Sequence, residues 1–221
     1  MTGIGAHDRL RAALQDEVAS NRLQAAMAAG THPRPAYIPV LLDRCAIEPD
    51  FSVREMLTWA LIRQDREATT PAVVAELGSP FPQARSQGLH TLSKIGDPDT
   101  RTAITTALLT DEEDEVARAA WRAAAGLAAD DAERLELART FATQWGRGGH
   151  DVQRSLSRAL AVLGPAADGV IAAGSLSPDL AVQVHARATA HLIENPHDGF
   201  ETALFEARRQ VALGAAPELD D

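Results

Sequence analysis

The stretch Gly88–Leu127, GLHTLSKIGDPDTRTAITTALLTDEEDEVARAAWRAAAGL, decides the fold. An apolar segment ends at Gly96-Asp97-Pro98, where glycine tolerates left-handed backbone and proline stops the helix. A second segment leads to the acidic run Asp111-Glu112-Glu113-Asp114-Glu115, whose carboxylates suit the free amides and positive dipole end of a new helix. That helix opens Asp114-Glu115-Val116-Ala117-Arg118. Two helices and two turns in so short a span form a pair, and the question is whether the pair recurs.

It does. Arginine returns at Arg22, Arg54, Arg85, Arg118 and Arg154, with Gln183 in sixth place, at spacings of 32, 31, 33, 36 and 29 residues. A period in that range marks a helical repeat array. The second helices of the pairs are expected near 17–29, 50–64, 82–95, 114–129, 151–163 and 179–194. The first helices are expected near 6–15, 35–46, 70–78, 99–110, 131–146 and 165–175, with a capping segment over 198–213. Asp50, Asp114, Asp151 and Asp179 are placed to cap second helices, Pro33, Pro80 and Pro178 to lie in turns, and Gly30, Gly96, Gly126 and Gly164 to lie near helix ends. The expectation is an all-α chain, a right-handed α-solenoid of about six pairs, with one domain over 1–214 and a short acidic tail over 215–221.

Composition agrees. Alanine is abundant and aromatics are 4% of the 221 residues, which favours helix. A formal charge of −10 argues against general affinity for nucleic acid or anionic lipid, both of which need a positive surface. No uninterrupted run of about 18 apolar residues is apparent, the first residues lack the order of a signal peptide, and Cys45 has no second cysteine to join, so a cytoplasmic protein is expected.

The stretch Gly88–Leu127 resembles HEAT-like repeats of the type first described in phycobilisome lyases, through Gly96-Asp97-Pro98 and then Asp114-x-Val116-x-Arg118. Weaker copies at Val53-Arg54, Ala84-Arg85 and Val152-Gln153-Arg154 extend the likeness over most of 17–194, and the sixth copy departs at Gln183. The resemblance implies a stacked helical array and, most often, a scaffold, adaptor or inhibitor. Fold of this kind does not fix function.

Helical geometry turns the period into a map. Val53, Met56, Leu57 and Ala60 share the apolar stripe of the second repeat, and Arg54 flanks it, placed to bond carbonyls or carboxylates between repeats. Four residues after each periodic position come Ala26, Thr58, Leu89, Arg122, Arg158 and Arg187, expected to point away from the interior. Arg122, Arg158 and Arg187 would then form a ladder for carboxylates or phosphates. Trp59 and Ile62 project off the stripe as an apolar anchor, with Met27 and His90 in the place equivalent to Trp59. Trp121 reads as core, as does Cys45.

Catalytic patterns are few. The loop Trp145-Gly146-Arg147-Gly148-Gly149-His150 is rich in glycine but lacks the Lys-Ser/Thr of a phosphate loop. Arg139, Arg147, Arg154 and Arg158 form a local basic island. The seven histidines show no metal-ligand spacing, and no nucleophile motif is present, so no metal, cofactor or catalytic residue is expected. The expected function is a non-catalytic module that binds another protein, one with an acidic segment, along the second-helix face through Trp59, Ile62, Arg122, Arg158 and Arg187. The alternative is a nucleic-acid-processing protein resembling the DNA alkylation repair glycosylases, against which the net charge weighs. A bilin-lyase role has no residue of its own.

Overall fold

The computed structural model describes residues 5–214; the expected acidic tail lies outside them. Among the described residues the chain is all-α, with thirteen α-helices in chain order and no strand. The second helices of the pairs are α2 (Ala19–Thr31), α4 (Phe51–Ile62), α6 (Pro82–Ile95), α8 (Asp114–Leu127), α10 (His150–Leu163) and α12 (Leu180–Glu194). Their partners are α1 (Ala6–Ala13), α3 (Ile38–Cys45), α5 (Arg66–Glu76), α7 (Thr106–Leu109), α9 (Asp131–Ala142) and α11 (Asp168–Ser175), and α13 (Phe200–Gly214) follows.

The second helices start within two residues of expectation, because each follows an acidic, glycine or proline signal. The first helices are less regular. The expected helix over 99–110 is a 3-10 turn, Pro98–Ala103, and then the single-turn α7. Helix α5 starts at Arg66, ahead of Pro71, because Asp65 caps it by accepting from the Ala68 amide at 2.9 Å. Asp50 and Asp179 cap as expected, accepting from Val53 and from Ala181 and Val182. Asp151 does not: Gly149 holds the cap position, and Asp151 sits in the first turn paired with Arg154. Gly96 and Gly164 take positive φ at helix ends, whereas Gly30 and Gly126 are ordinary helical residues.

Within His150–Ser175 an 18-residue window reaches a mean hydropathy of 1.3, long and apolar enough by composition to cross a membrane, contrary to the reading of uninterrupted runs. Its many alanines raise the mean, and Gly164-Pro165 divides it into α10 and α11.

The helices cluster in two compact units, Met1–Ala123 and Ala124–Asp221. In the first, Leu41, Leu57, Leu61, Leu89, Leu92 and Trp121 are fully buried, and the Trp121 indole donates to the Leu109 carbonyl at 2.8 Å. In the second, Leu137, Phe141, Leu156 and Leu160 are buried, and α13 covers α12 by setting Phe200, Ala203, Leu204 and Ala207 on Ala188, Val184 and Leu192.

The periodic arginine ties these repeats together in the first unit. Arg22 donates to the carbonyls of Asp16 and Glu17, six and five residues back, and forks onto Glu48, 26 residues ahead, at 2.8 and 2.9 Å. Arg85 repeats the geometry, donating to the Ser79 carbonyl six residues back and to Asp111, also 26 ahead. Arg54 donates to the carbonyls of Glu48 and Pro49, but Pro80 stands where its carboxylate would be, and the guanidinium lies 5.8 Å over the Phe51 ring instead. The same residue thus closes its own turn and grips the next one.

Glu48 is sealed from solvent by the groups that bind it. Burial alone would raise its pKa, but hydrogen bonds from Arg22, Arg44 and the Asp50 amide hold it at about 2, below the ordinary 4.5. A carboxyl depressed in this way stabilises the folded state fully above its unfolded pKa, and the contribution is lost as pH falls toward the folded value. Glu48→Gln is expected to destabilise the chain at neutral pH by on the order of 3 kcal/mol, since two arginines lose their counter-charge. Thermal melts of the variant should also lack the part of the acid decline that wild type shows between pH 4.5 and 2.

Candidate functional site

Helix α4 carries the side chains that reach solvent beside the core stripe. Val53, Leu57, Ala60 and Leu61 are buried, Met56 is half-buried, and Trp59 remains 37% and Ile62 40% exposed. Met27 on α2 is exposed in the place equivalent to Trp59. The Trp59 ring lies over Gly30, where an added Cβ would stand 2.3 Å from Cζ3 and 2.7 Å from Cε3. Gly30 is therefore glycine for space, not for backbone freedom, which explains a residue that the sequence reading assigned to a helix end.

The map of positions four residues after the arginine needs correction in the first three repeats. Ala26, Thr58 and Leu89 are buried, not outward. Close approach of α2, α4 and α6 covers that position; one residue later Met27 and Trp59 are exposed, whereas His90 is buried. At Arg122 the same position is exposed. Its guanidinium lies 3.4 Å from His90 Nδ1, and His90 Nε2 lies 3.0 Å from Glu55 Oε1. Glu55, His90 and Arg122 thus link α4, α6 and α8 across one face. Burial lowers the His90 pKa, with Arg122 and Lys94 adding to the shift and Glu55 opposing it. A ring that accepts at Nδ1 suits Arg122, whereas Nε2, although 3.0 Å from Glu55 Oε1, makes no hydrogen bond. The sequence reading had His90 as the equivalent of Trp59 but missed Glu55, one helical turn before Trp59 on α4.

In the second unit Arg158 is exposed on α10 and has no hydrogen-bond or ion-pair partner among the described residues. Arg187 is half-buried on α12, and its Nε donates to the Ser175 carbonyl at 3.2 Å. Arg122, Arg158 and Arg187 therefore sit in three unlike settings: against a histidine, free, and closing a helix end.

The glycine-rich loop is structural. The Gly146 amide donates to His185 Nδ1 at 3.1 Å, and the Gly146 and Gly148 carbonyls accept from the Gln153 side chain. These groups are engaged by α10 and α12, and the loop lacks the Lys-Ser/Thr of a phosphate loop. His185 is buried, in an edge contact with Trp145 at 4.8 Å, and its Nε2 donates to the Gln153 carbonyl at 3.0 Å. Ser157 Oγ lies 3.1 Å from the same nitrogen and 2.7 Å from Thr189 Oγ1. This serine and histidine are not a nucleophile and base, since both are sealed from any substrate. Burial, only partly offset by the bond to Gln153, holds His185 at about pKa 4. Cys45 is buried too, and burial with the nearby charges of Glu76 and Glu48 pushes its thiol up to about 12, so it is inert. Among the described residues no three metal-capable side chains converge. An open cleft of about 600 Å³ beside α9 is lined by Asp131, Leu135, Arg139, Pro165, Gly169 and Val170, with no nucleophile among them.

The family model for HEAT repeats matches residues 46–125. Those residues form a HEAT-repeat array. Among solved structures, the chain is similar to an engineered protein, with 20% identity over 86% of this chain and 97% of that one at a TM-score of 0.46. It is also similar to human deoxyhypusine hydroxylase in complex with glycerol, with 18% identity over 96% of this chain and 90% of that one at a TM-score of 0.44. No curated protein matches the sequence.

Two outcomes follow from the geometry. Gly30→Ala should dislodge Trp59, read as a shift of its indole N–H cross-peak, whereas Gly126→Ala, with open space at its Cβ, should leave the spectrum unchanged and stabilise by roughly 0.5 kcal/mol. His185, whose folded pKa lies below the ordinary 6.5, favours the folded state above 6.5, and this is lost as pH falls toward about 4. His185→Asn should therefore flatten stability between those values, measured by chemical denaturation at each pH, while leaving the lower window of Glu48 in place.

Proposed function

We propose that this chain is a non-catalytic protein-interaction module, and that its partner lies on the second-helix face of the HEAT-repeat array. The observation that carries the reading is Trp59, a large aromatic left 37% exposed over a glycine and flanked by exposed Met27 and Ile62. Rigid aromatic anchors of this kind dominate protein interfaces. Arg122 offers a cation on the same face, across His90 and Glu55, to a carboxylate on the partner. Arg158 is an exposed cation of the second unit, while Arg187 has a weaker claim because its guanidinium already donates to the Ser175 carbonyl. The finer kinship with phycobilisome-lyase repeats rests on Gly96-Asp97-Pro98 and Asp114 to Arg118 and adds no tetrapyrrole chemistry. A glycosylase-type activity on duplex is disfavoured by the charge of −10.

The test is affinity capture from native cytosol followed by calorimetry on the partner so identified. Trp59→Ala should weaken binding by tenfold or more, on the scale of an interface hot spot, and Arg122→Ala by less. A partner that binds wild type and Trp59→Ala with equal affinity would show that this face is not the contact.

A further inference from the structure

The N-terminal ends of the second helices form another surface. Val18 precedes α2, Phe51 begins α4 and Phe81 precedes α6, and they are 54%, 67% and 61% exposed. Side-chain bonds between the turns place them along one edge. Arg22 joins the Asp16 and Glu17 carbonyls to Glu48. The Gln83 side chain, two residues after Phe81, donates to the Cys45 and Glu48 carbonyls at 2.8 Å, and Arg85 joins the Ser79 carbonyl to Asp111. Val18 and Phe81 hold the N-cap of their helices and Phe51 the first position after its cap Asp50, so three exposed apolar groups recur within one residue of the same place in three successive repeats, and the core uses none of them.

Apart from Arg54, whose cation rests on the Phe51 ring without a carboxylate, the exposed charge at and beside this row is acidic. Its arginines are already committed: Arg22 and Arg44 to Glu48, Arg85 to Asp111, and Arg54 to carbonyls and the Phe51 ring. Glu17 stands exposed just before α2, and Glu113 and Glu115 stand exposed at the start of α8 in the next repeat, with no cation paired to them among the described residues. Stacked helices lie about 10 Å apart, which matches the rise of about 10.5 Å between residues i and i+7 of an α-helix.

We propose that this edge is a second docking surface whose occupant is a basic amphipathic helix of a partner protein. Apolar residues at i, i+7 and i+14 of that helix meet Val18, Phe51 and Phe81, and its flanking lysines or arginines face the glutamates. A second copy of the chain would set acidic edge against acidic edge, and an anionic membrane would be repelled in the same way. The surface is separate from the Trp59 face, and the proposal does not depend on it.

The experiment uses the full chain and a fluorescein-labelled helical peptide of about 18 residues with leucine at the three heptad positions and lysine on the flanks. Fluorescence anisotropy should show binding that Phe51→Ser/Phe81→Ser weakens about tenfold or more. Glu113→Lys/Glu115→Lys should weaken it too, and Trp59→Ala should leave it unchanged. Circular dichroism checks that the exposed-site variants fold. Several results overturn the proposal: no binding, equal binding of a scrambled peptide, wild-type affinity in the double phenylalanine variant, or loss of binding in Trp59→Ala. So does Phe51- and Phe81-dependent capture by phosphatidylglycerol vesicles, or Phe51- and Phe81-dependent dimerisation in sedimentation velocity.

Discussion

The first unit depends on one arrangement: a guanidinium that closes the turn behind it and holds a carboxylate from the turn ahead. Arg22 and Arg85 both reach back to the carbonyl six residues before and forward to an acid 26 residues after. Turn carbonyls at the start of a helix would otherwise be left without donors as successive repeats close over them, a costly state for buried backbone. A planar fork can serve carbonyls and a carboxylate at once, which an ammonium on a flexible stem cannot do with the same fixed geometry. The period of the sequence is therefore the period of a hydrogen-bond problem and its solution.

Departures from that arrangement show what it does. Where Pro80 removes the acid, Arg54 keeps its carbonyls and rests on Phe51. In the fifth repeat the turn grows into the loop from Gly146 to Gly149, and Gln153 takes over the carbonyls that the arginine serves elsewhere. Arg154 is then released to a local pair with Asp151. The spacings of 36 and 29 on either side of Arg154 are the sequence trace of this exchange. A buried histidine completes it, because the longer loop needs an acceptor for the Gly146 amide and His185 Nδ1 supplies one.

This explains which parts were legible from sequence. The second helices could be read closely because their starts are marked by local chemistry and their apolar stripes repeat. First helices were less so: Pro98 and Pro71 have effects that depend on whether the neighbouring turn relaxes into 3-10 geometry or accepts an interior proline. At the site, Trp59 and Ile62 could be placed from the stripe of α4 alone. The outward position could not be carried to Ala26, Thr58 and Leu89, since helical phase fixes direction relative to one helix while burial depends on how closely the next one stacks. The contact between His90 and Glu55 could not be read for the same reason, as it joins residues 35 apart on two helices. Val18, Phe51 and Phe81 were in plain view within one residue of the same place in their repeats, but each looked like an ordinary apolar residue at a helix start until the exposures stood side by side.

The pairing of Gly30 with Trp59 carries the functional argument further than exposure alone does. Gly30 has ordinary helical backbone, so its conformation could be served by alanine, which favours helix by up to about 1 kcal/mol. Alanine there collides with the indole, which means the glycine is needed only because residue 59 is tryptophan. A smaller apolar residue at 59 with alanine at 30 would close the same space between α2 and α4 with better helix propensity and less apolar surface in water. Stability therefore does not account for the pair. What the pair does provide is a broad aromatic surface, fixed in place by the backbone beneath it and open above, which is the form a binding anchor takes when its ordering cost is met before the partner arrives.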